Sequence, residues 1–377
     1  MANRDKLNIL FLEPYLGGSH KAFLDGMMRH SGHNIIPITM SDKYWKWRMS
    51  GGSVTLAQKS TAITEEPDLI FASSMTNLPA FIALTNPRFA NTPSIMYMQE
   101  NQLTMPLPEG EERDYTYCYI NYLSALVAGE LWFSSKFHFN EFMQALPVFL
   151  SKYNDLKHKE LIDRIRDKSR VVYPGLSLKE HNATPDLRKE NDVPVVVWNQ
   201  RWEYDRNPEM FFRIMNRLDD AECEFNLILA GDHLQVNPSE FEALQKRYGD
   251  RILHYGYASD AKQYSELLHK GDIVVSTSRY EFFCTALLEA VYCGCHPMVP
   301  NALTYPELIP ESLKEPLLHG PVFYNSEDDL FKKMQKLLNK KTATLPKGTL
   351  KNIVKHLNWE SYMLDVDAYL SDAAKKI

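Results

Sequence analysis

Long hydrophobic runs are absent from this sequence. No stretch reaches the roughly 18 consecutive apolar residues that a membrane-spanning helix needs. The apolar run at the N-terminus ends at Glu13 and is too short for a signal peptide. Internal repeats and low-complexity segments are absent as well. We therefore expect a cytoplasmic protein with no membrane partner and no obligate protein partner.

Cysteine and excess positive charge are also scarce. The five cysteines are odd in number and mostly stand in apolar segments, which favours reduced thiols in the core. Cys293 and Cys295 have no second pair with which to build a zinc site, so no bound metal is expected. The 42 Lys and Arg residues against 48 Asp and Glu residues give a net charge of −6. This balance argues against holding nucleic acid by bulk electrostatics, although it is compatible with a local basic surface.

What the sequence does contain is an alternation of short apolar runs and helix-like segments over 377 residues. Such alternation is typical of parallel sheets covered by helices on both faces, and the length predicts two domains. We predict an α/β protein with two Rossmann-like doubly wound domains facing across a cleft. The domains are expected at residues 1–176 and 194–358, with a polar linker at 177–193 and a C-terminal helix at 359–377 that can cross back to the first domain.

The strands are predicted from their buried apolar pattern. The expected strands are residues 7–12, 34–39, 68–72, 94–98, 131–133 and 171–173 in the first domain, and 195–198, 225–230, 252–255, 273–276 and 297–299 in the second. Ligands of open parallel sheets bind beyond the carboxyl ends of the strands. Residues that directly follow these strands are therefore the candidate site residues.

The segment 276–300 combines a strand end, a turn and a helix at 284–293 that Gly294 closes. Two carboxylates bracket the turn. Glu281 follows the strand, and Glu289 lies about one and a half turns into the helix, so both are expected to face one crevice. The N–H groups that open this helix are expected to be free to bind an anion, and they belong to Phe283, Cys284 and Thr285. Amides for phosphate and carboxylates for sugar hydroxyls suit a nucleotide sugar.

Two arginines follow the first strand of the second domain. Arg201 comes directly after that strand, and Arg206 precedes a helix that starts at Asn207 and Pro208. Guanidinium groups at this position suit a departing nucleoside diphosphate. The alternative is a structural salt bridge with a neighbouring acid such as Glu203. The next strand ends at Gly231 and Asp232, and the one after it leads to Tyr257, so these loops are expected to contribute as well.

The first strand of the first domain runs into a glycine pair. Gly17 and Gly18 permit close approach of the backbone to a ligand, and Ser19 is expected to cap a helix that aims its dipole at a diphosphate. The same pattern also occurs as plain turn chemistry. His20 follows directly, where a histidine is more often a surface residue than a catalytic one.

Aromatic and basic residues are interleaved in the segment 41–52. Trp45 and Trp47 alternate with lysines and Arg48, a combination that stacks on nucleic acid or sugars. The alternative is a loop that anchors itself on the core through its tryptophans.

Polar residues follow two further strands of the first domain. One strand ends in a cluster expected to line the mouth of the cleft, namely Gln99, Glu100, Asn101 and Gln102, and a solvated loop is the alternative. Another strand leads to His138 at a strand-to-helix junction, which is a weaker instance of the same pattern.

Taken together, these motifs resemble the GT-B glycosyltransferases of family 4, which retain anomeric configuration and use nucleotide sugars without a metal. The general match rests on Gly17–Gly18, the basic pair, and Glu281 followed by Glu289. More closely, the motifs GGSHKAF, YWKWR, QENQLTMP, WNQRWEYDRNPE and EFFCTALLEAVYCGCHP resemble those of tRNA-queuosine mannosyltransferases, over about residues 8 to 310.

The resemblance implies GDP-mannose as donor and the queuosine of tRNA(Asp) as acceptor. By position, Arg201 and Arg206 would bind the diphosphate, which Gly17 and Gly18 would also approach. Glu281 would then contact the hydroxyls of the donor sugar. The same positions imply that Glu289 holds the ribose and that Tyr257 lies near the base.

Two positions depart from the family pattern. Gln99 stands where the family usually has histidine, which limits that position to hydrogen bonding. Cys284 replaces a usual glycine at the start of the helix. The competing interpretations are an enzyme of this fold with another acceptor (glycan, lipid or small molecule) or a UDP-sugar donor, and a non-catalytic RNA-binding protein.

Overall fold

The computed structural model describes residues 6–108, 110–182, 192–231, 238–313, 319–340 and 342–375. The chain forms two compact units, one made of Met1–Gly175 with Trp359–Ile377 and the other of Leu176–Asn358. No helix in the described ranges is both long and apolar enough to cross a membrane.

The first unit is a parallel sheet with helices between its strands. Its elements are β1 (Asn8–Leu16), α1 (Gly18–His30), β2 (Asn34–Ser41), α2 (Trp45–Ser60), β3 (Leu69–Ser73), α3 (Leu78–Leu84), β4 (Ser94–Met98), α4 (Tyr115–Val127), β5 (Glu130–Phe133), α5 (Lys136–Leu150), α6 (Leu161–Asp167) and β6 (Ser169–Val171). In the described residues the strand order is β2-β1-β3-β4-β5-β6. Side chains of β3, β4 and β5 are buried on both faces, which explains why their sequences read as continuous apolar runs.

The second unit repeats this architecture. Its elements are β7 (Val195–Trp198), α7 (Pro208–Asp220), β8 (Asn226–Leu229), α8 (Pro238–Tyr248), β9 (Ile252–Tyr255), α9 (Ala261–Lys270), β10 (Ile273–Val275), α10 (Thr285–Cys293), β11 (His296–Pro300), α11 (Tyr305–Leu308), β12 (Phe323–Tyr324), α12 (Glu327–Leu338) and α13 (Lys347–Val354). The described strands are ordered β12-β11-β10-β7-β8-β9, and all their pairings are parallel. A two-sheet, doubly wound α/β protein is therefore confirmed.

The C-terminal helix, α14 (Trp359–Ala373), belongs to the first unit. Its first residue, Trp359, is buried with its ring centroid 5.6 Å from that of Phe23. The indole fills space left by Gly26 and Gly175, where a Cβ atom would collide with the ring. These two glycines therefore fix where α14 packs.

Each predicted strand overlaps an observed one, and the differences lie at sheet edges and strand ends. β1 runs past the predicted end at residue 12 to Leu16, because it stays paired with β2 across a bulge. The strand predicted at 171–173 is β6, which ends at Val171 and lies half-buried at an edge. β12 was missed because it has only two residues, beside β11.

The segment predicted as a linker is partly structured. Residues Leu178–His181 form a 3-10 turn in the second unit, and both Leu178 and His181 are buried. The rest of the predicted linker, residues 183–191, lies outside the described residues. The five cysteines are buried, unpaired thiols, as predicted.

Candidate active site

The strand order of the second unit places one crevice. From β7 the sheet grows through β8 and β9 on one side and through β10 and β11 on the other, so the order reverses between β7 and β10. Ligands of doubly wound sheets bind beyond the carboxyl ends of the strands at such a switch point. The loops after β7 and β10 carry Arg201, Arg206 and Glu281, so topology brings these predicted site residues to one edge.

Arg206 and Glu281 form a buried ion pair at this edge. The Nη1 atom of Arg206 donates to the Glu281 carboxylate and, at 3.2 Å, to the carbonyl of Tyr280. The Nε atom lies 3.4 Å from the carboxylate of Asp205. The Nη2 atom makes no hydrogen bond to any described residue, which leaves one edge of the guanidinium for a ligand.

The electrostatics of this pair keep both groups charged. Burial alone would lower the pKa of the Arg206 guanidinium, but the carboxylates of Glu281 and Asp205 raise it. Burial raises the pKa of the Glu281 carboxyl, and the charge of Arg206 opposes that shift. A fixed cation with an unused donor edge can stabilise charge that grows on a leaving phosphate.

Arg201 is placed differently from Arg206. Its Nη2 atom lies 3.2 Å from the carboxylate of Glu203, which is the salt bridge weighed as its alternative role. The side chain is 56% exposed, so the pair is a weak one that a phosphate can replace. Its role as a diphosphate ligand remains a prediction.

The opening of α10 corrects one expectation. The N–H of Phe283 was expected to be free to bind an anion, but it donates to Oε1 of Glu281 at 3.3 Å. The helix begins at Thr285, with Cys284 in the capping position. Because a carboxylate already occupies part of this amide site, we do not place a ligand's phosphate on the Phe283 N–H group.

Cys284 is a buried thiol that takes part in the packing of the loop. Its Sγ atom lies 3.6 Å from Nε2 of Gln200, and burial raises the pKa of the thiol well above its ordinary value. A neutral, buried thiol is a poor nucleophile. The residue that departs from the family pattern is therefore part of the packed core of this loop.

Glu289 has partners of its own, none of them shared with Glu281. Its Oε1 atom lies 3.7 Å from Nε2 of His181, and its carboxylate hydrogen-bonds to Tyr264. Burial and, second to it, the charge of Glu289 raise the pKa of the Tyr264 hydroxyl well above its ordinary value. That hydroxyl also accepts from Asn199 at 3.0 Å. The two glutamates thus form two separate polar clusters.

Polar atoms without partners mark the Glu289 cluster. In the part of the chain that the structure describes, Nδ1 of His181 and Oδ1 of Asn199 are buried without a hydrogen-bond partner. Unsatisfied buried atoms of this kind are costly unless a ligand or water completes them. Sequence reasoning missed His181, Asn199 and Tyr264, although Asn199 directly follows a predicted strand.

A second missed network lies under the loop after β10. Gln200 donates to Ser276 at 3.2 Å and accepts from Ser278 at 3.0 Å, and Ser276 in turn lies 2.6 Å from the Tyr305 hydroxyl. Gly231 passes so close to the carbonyl of Gln200 that no Cβ fits there. Asp232 lies outside the described residues, and Tyr257 is exposed on its loop.

The first unit has its switch point between β1 and β3. Gly17 and Gly18 follow β1, and Gly18 adopts a φ of +48°, which favours glycine. The helix α1 starts at Gly18 with Gly17 in the capping position. Ser19 is therefore inside the helix, and the predicted serine cap is wrong, because the positive φ at Gly18 turns the chain one residue earlier.

His20 is buried and belongs to a carboxylate–imidazole pair that the sequence did not indicate. Its Nδ1 atom lies 2.8 Å from Oε2 of Glu13, whose Oε1 accepts from the N–H of Tyr15. Its Nε2 atom lies 3.9 Å from Oε1 of Glu100. The general expectation of a surface histidine is wrong here, since the extended β1 brings Glu13 beneath the ring.

The cluster after β4 is only partly at the edge of the sheet. Gln99 donates to the carbonyl of Ser19 at 3.2 Å, so Gln99 and Glu100 both lie beside the start of α1. Asn101 is fully buried and accepts from the N–H groups of Leu103 and Thr104. Asn101 is therefore a loop-forming residue and does not line a cleft. The N–H of Gln102, in turn, is bound by the side chain of Asn121.

His138 is a core residue. It is fully buried in α5, where its Nδ1 atom lies 3.0 Å from the Ser134 hydroxyl. Burial lowers its pKa well below the ordinary value, and a hydrogen bond to the backbone of Met98 opposes the shift only partly. A neutral histidine with these partners tethers α5 to the ends of β4 and β5, and the structure gives it no place in a site.

Trp45, Trp47 and Arg48 stand in the first turn of α2, which corrects the alternative of an anchoring loop. Trp45 and Trp47 are exposed instead of buried in the core. Arg48 is tied to the end of β2 through the backbone carbonyl and the hydroxyl of Ser41. The structure thus presents the two rings to solvent.

Comparison with solved structures places the fold in a known class. The chain superposes on sucrose-phosphate synthase from Thermosynechococcus elongatus with a TM-score of 0.73 at 16% identity, covering 97% of this chain and 99% of that one. It superposes on the catalytic domain of starch synthase IV from Arabidopsis thaliana with a TM-score of 0.71 at 9% identity, covering 98% and 99%. Residues 180–353 match the model of glycosyl transferases group 1. The protein is a glycosyltransferase of the GT-B fold.

Sequence comparison identifies the family. Residues 8–176 match the model of the N-terminal domain of tRNA-queuosine alpha-mannosyltransferases. The chain is 32% identical over 340 residues to the tRNA-queuosine alpha-mannosyltransferase of Drosophila melanogaster, covering 87% of this chain and 86% of that protein. The chain belongs to the tRNA-queuosine alpha-mannosyltransferase family.

Proposed function

We propose that this glycosyltransferase moves mannose from GDP-mannose to the queuosine nucleoside of tRNA(Asp), with retention of configuration and without a metal ion. The observation that carries the proposal is the Arg206–Glu281 pair at the switch point of the second unit, in a chain whose first 176 residues match the queuosine-specific N-terminal domain. A tRNA acceptor also implies that the enzyme works in the cytoplasm.

In this proposal the loop after β7 binds the diphosphate. The unused Nη2 edge of Arg206 contacts the phosphate oxygens, and Arg201 exchanges Glu203 for phosphate. Both cations gain in strength as negative charge grows on the leaving group, which is the condition for accelerating the chemical step. Two guanidinium groups thereby supply the positive charge that a metal ion would otherwise provide.

The remaining donor contacts follow from the two carboxylate clusters. Glu281 accepts from hydroxyls of the mannose, since Arg206 holds its carboxylate in place. Glu289 accepts from the ribose hydroxyls, beside the unpaired polar atoms of His181 and Asn199. Tyr257 is exposed and lies near the base. Contact of Gly17 and Gly18 with the diphosphate remains a proposal that rests on the family resemblance.

The transfer is a front-face substitution. The bond from C1 of mannose to the diphosphate oxygen breaks, the acceptor oxygen bonds to C1 from the same face, and the acceptor proton passes to the departing diphosphate oxygen. GDP-mannose carries mannose in α linkage, so an α-linked product means retention. No protein side chain takes part as a nucleophile in this route.

The acceptor side is assigned to the first unit. Gln99 cannot exchange a proton, so its amide orients either α1 or the acceptor by hydrogen bonding. His20, held by Glu13 and facing Glu100, is the group at this edge that can exchange a proton with an acceptor hydroxyl.

Nucleoside mass spectrometry tests the proposed function directly. The protein is incubated with GDP-mannose, and in parallel with UDP-hexoses, together with tRNA that contains queuosine or tRNA from cells unable to make it. We expect a hexose added to queuosine with GDP-mannose only, in α linkage by NMR of the released nucleoside. Absence of a mass shift with every donor on queuosine-containing tRNA would refute the acceptor, and a shift with a UDP-sugar alone would refute the donor.

A further inference from the structure

Three exposed aromatic rings stand together where β2 passes into α2. Tyr44 is 77% exposed, Trp47 is 64% exposed and Trp45 is 37% exposed. With Lys43 and Lys46 these residues are called the α2 face below. Large rings in solvent are unfavourable for a folded chain alone, and a contiguous group of them marks a binding surface.

The backbone of the α2 face is arranged to present its rings. Tyr44 adopts a left-handed conformation with a φ of +56°, which is uncommon for an aromatic residue. Trp47 lies flat over its own helix, since a Cβ atom at Gly51 would come within 2.8 Å of the indole. A glycine one turn further on thus leaves room for the ring, so that one side of the indole rests on backbone.

The cations of the α2 face are available to a ligand. The Nζ atom of Lys46 lies 5.6 Å from the centroid of the Trp45 ring. Neither Lys43 nor Lys46 forms a salt bridge with a carboxylate anywhere in the described ranges. In a chain of net charge −6, two unpaired lysines beside three exposed rings are a local basic surface.

The α2 face adjoins the carboxyl end of β1. The Trp45 ring centroid lies 5.1 Å from that of Tyr117, and Tyr117 and Tyr15 pack on the same small apolar cluster around Met49. Tyr15 in turn lies 6.3 Å, centroid to centroid, from the ring of His20. The face is therefore continuous with the histidine that the proposed function places on the acceptor side.

We propose that the α2 face binds the anticodon loop of the acceptor tRNA, with Trp47 and Tyr44 stacking on unpaired bases and Lys43 and Lys46 contacting phosphates. This rests on the proposed function, because queuosine is a nucleoside of the anticodon loop. Stacking on exposed rings beside cations is how proteins hold single-stranded nucleotides, whatever the sequence. A loop held there would have its modified nucleoside beside His20.

The test measures tRNA binding without any donor, so that it does not depend on transfer. Trp47→Ala is expected to weaken binding of total tRNA about tenfold. Trp47→Phe, which keeps a ring, is expected to retain most of the affinity. Lys43→Ala with Lys46→Ala should reduce the slope of log Kd against log salt by about one. Exposed controls on α14, Leu364→Ala and Lys375→Ala, should bind as the wild type does.

Each result has one interpretation. Wild-type affinity in the Trp47→Ala protein, or loss in the α14 controls as well, would overturn the α2 face, even if mannosylation of queuosine is found. Reduced adsorption of Trp47→Ala to anionic phospholipid vesicles with unchanged tRNA binding would overturn it in favour of a membrane contact. Loss of tRNA binding in Trp47→Ala, in a wild type that transfers no hexose, would support the face and refute the proposed function. In an active enzyme, Trp47→Ala should raise the KM for tRNA and leave the KM for the donor unchanged.

Discussion

The Nδ1 atom of His20 lies 2.8 Å from Oε2 of Glu13, and both side chains are buried at the carboxyl end of β1. The Glu13 carboxylate has the imidazole and the N–H of Tyr15 as partners, and no lysine or arginine pairs with it in the described part of the chain. A buried carboxylate is tolerated only when hydrogen bonds or charges compensate for its lost hydration. His20 is therefore needed for the fold of this edge as well as for any role towards an acceptor.

Replacement of His20 tests this dependence. His20→Ala leaves the Glu13 carboxylate without its main partner, so we expect a loss of about 3 kcal/mol in the free energy of unfolding. Glu13→Gln combined with His20→Ala should lose less than the sum of the two single changes, since a neutral amide no longer strands a charge. Urea denaturation followed by tryptophan fluorescence measures all three variants. Additive losses would show that the two side chains do not act as a pair.

The Glu281 carboxylate gives the second prediction. Glu281→Gln keeps an oxygen for the Phe283 N–H and a similar volume beside Arg206, so the protein should fold. The amide removes the negative charge that fixes the guanidinium and accepts from sugar hydroxyls. We expect turnover to fall by about 100-fold, as when one polarised hydrogen bond is removed from a transition state. Single-turnover transfer from labelled GDP-mannose measures it.

A matched change in the second cluster separates the two glutamates. Glu289→Gln should raise the KM for the donor with a smaller effect on turnover, because ribose contacts are made equally in the ground and transition states. The opposite pattern, in which Glu289→Gln mainly lowers turnover and Glu281→Gln mainly raises the KM, would reverse the assigned roles.

The fold could be predicted from the sequence because its inner strands are buried on both faces. β3, β4 and β5 show continuous apolar runs, whereas the edge strand β6 and the two-residue β12 carry little pattern of their own. Local sequence therefore fixes which segments enter the sheet more firmly than where an edge strand begins.

Candidate site residues were predictable only as far as the rule of carboxyl ends reaches. Arg206, Glu281 and His20 follow strands directly and could be chosen on that ground. Their partners could not, since Glu13 depends on a strand extension across a bulge. His181 likewise reaches Glu289 from a segment whose sequence reads as a linker. Such pairings arise from tertiary packing between segments far apart in the chain.

Arg201 offers a test of function without a stability effect. Its salt bridge with Glu203 is on the surface, where such pairs contribute at most about 1 kcal/mol. Arg201→Ala should therefore unfold like the wild type but turn over about 100-fold more slowly, because its charge matters most as the diphosphate departs. Thermal unfolding and steady-state transfer measure the two effects.

The control for Arg201 is a second surface arginine in the same unit. Arg213 on α7 is paired with Glu327 at 2.9 Å and is 55% exposed, against 56% for Arg201. Arg213→Ala should leave both unfolding and turnover unchanged. Equal kinetics in the two variants would remove Arg201 from the diphosphate site.

The buried imidazole of His296 predicts how stability depends on pH. Its Nδ1 accepts from the N–H of Leu345 at 3.0 Å and its Nε2 donates to the carbonyl of Pro321 at 3.1 Å, so the ring is neutral in one tautomer. Burial, with His319 as a lesser cause, lowers its pKa from 6.5 to about 4. The unfolded chain thus binds a proton more tightly than the folded one at this site. Stability is complete above pH 6.5 and is lost as the pH falls towards 4, by about 3 kcal/mol.

Thermal unfolding of the wild type and of His296→Gln at pH 7.5, 6.5, 5.5 and 4.5 isolates this contribution. The Gln variant has no titrating group at the site, so its Tm should fall less steeply with pH than that of the wild type. The difference between the two proteins should close or reverse at low pH, since only the wild type must bury a group that prefers to be protonated. Parallel pH profiles for the two proteins would show that the imidazole does not titrate in the unfolding equilibrium, and would contradict its burial as a neutral base.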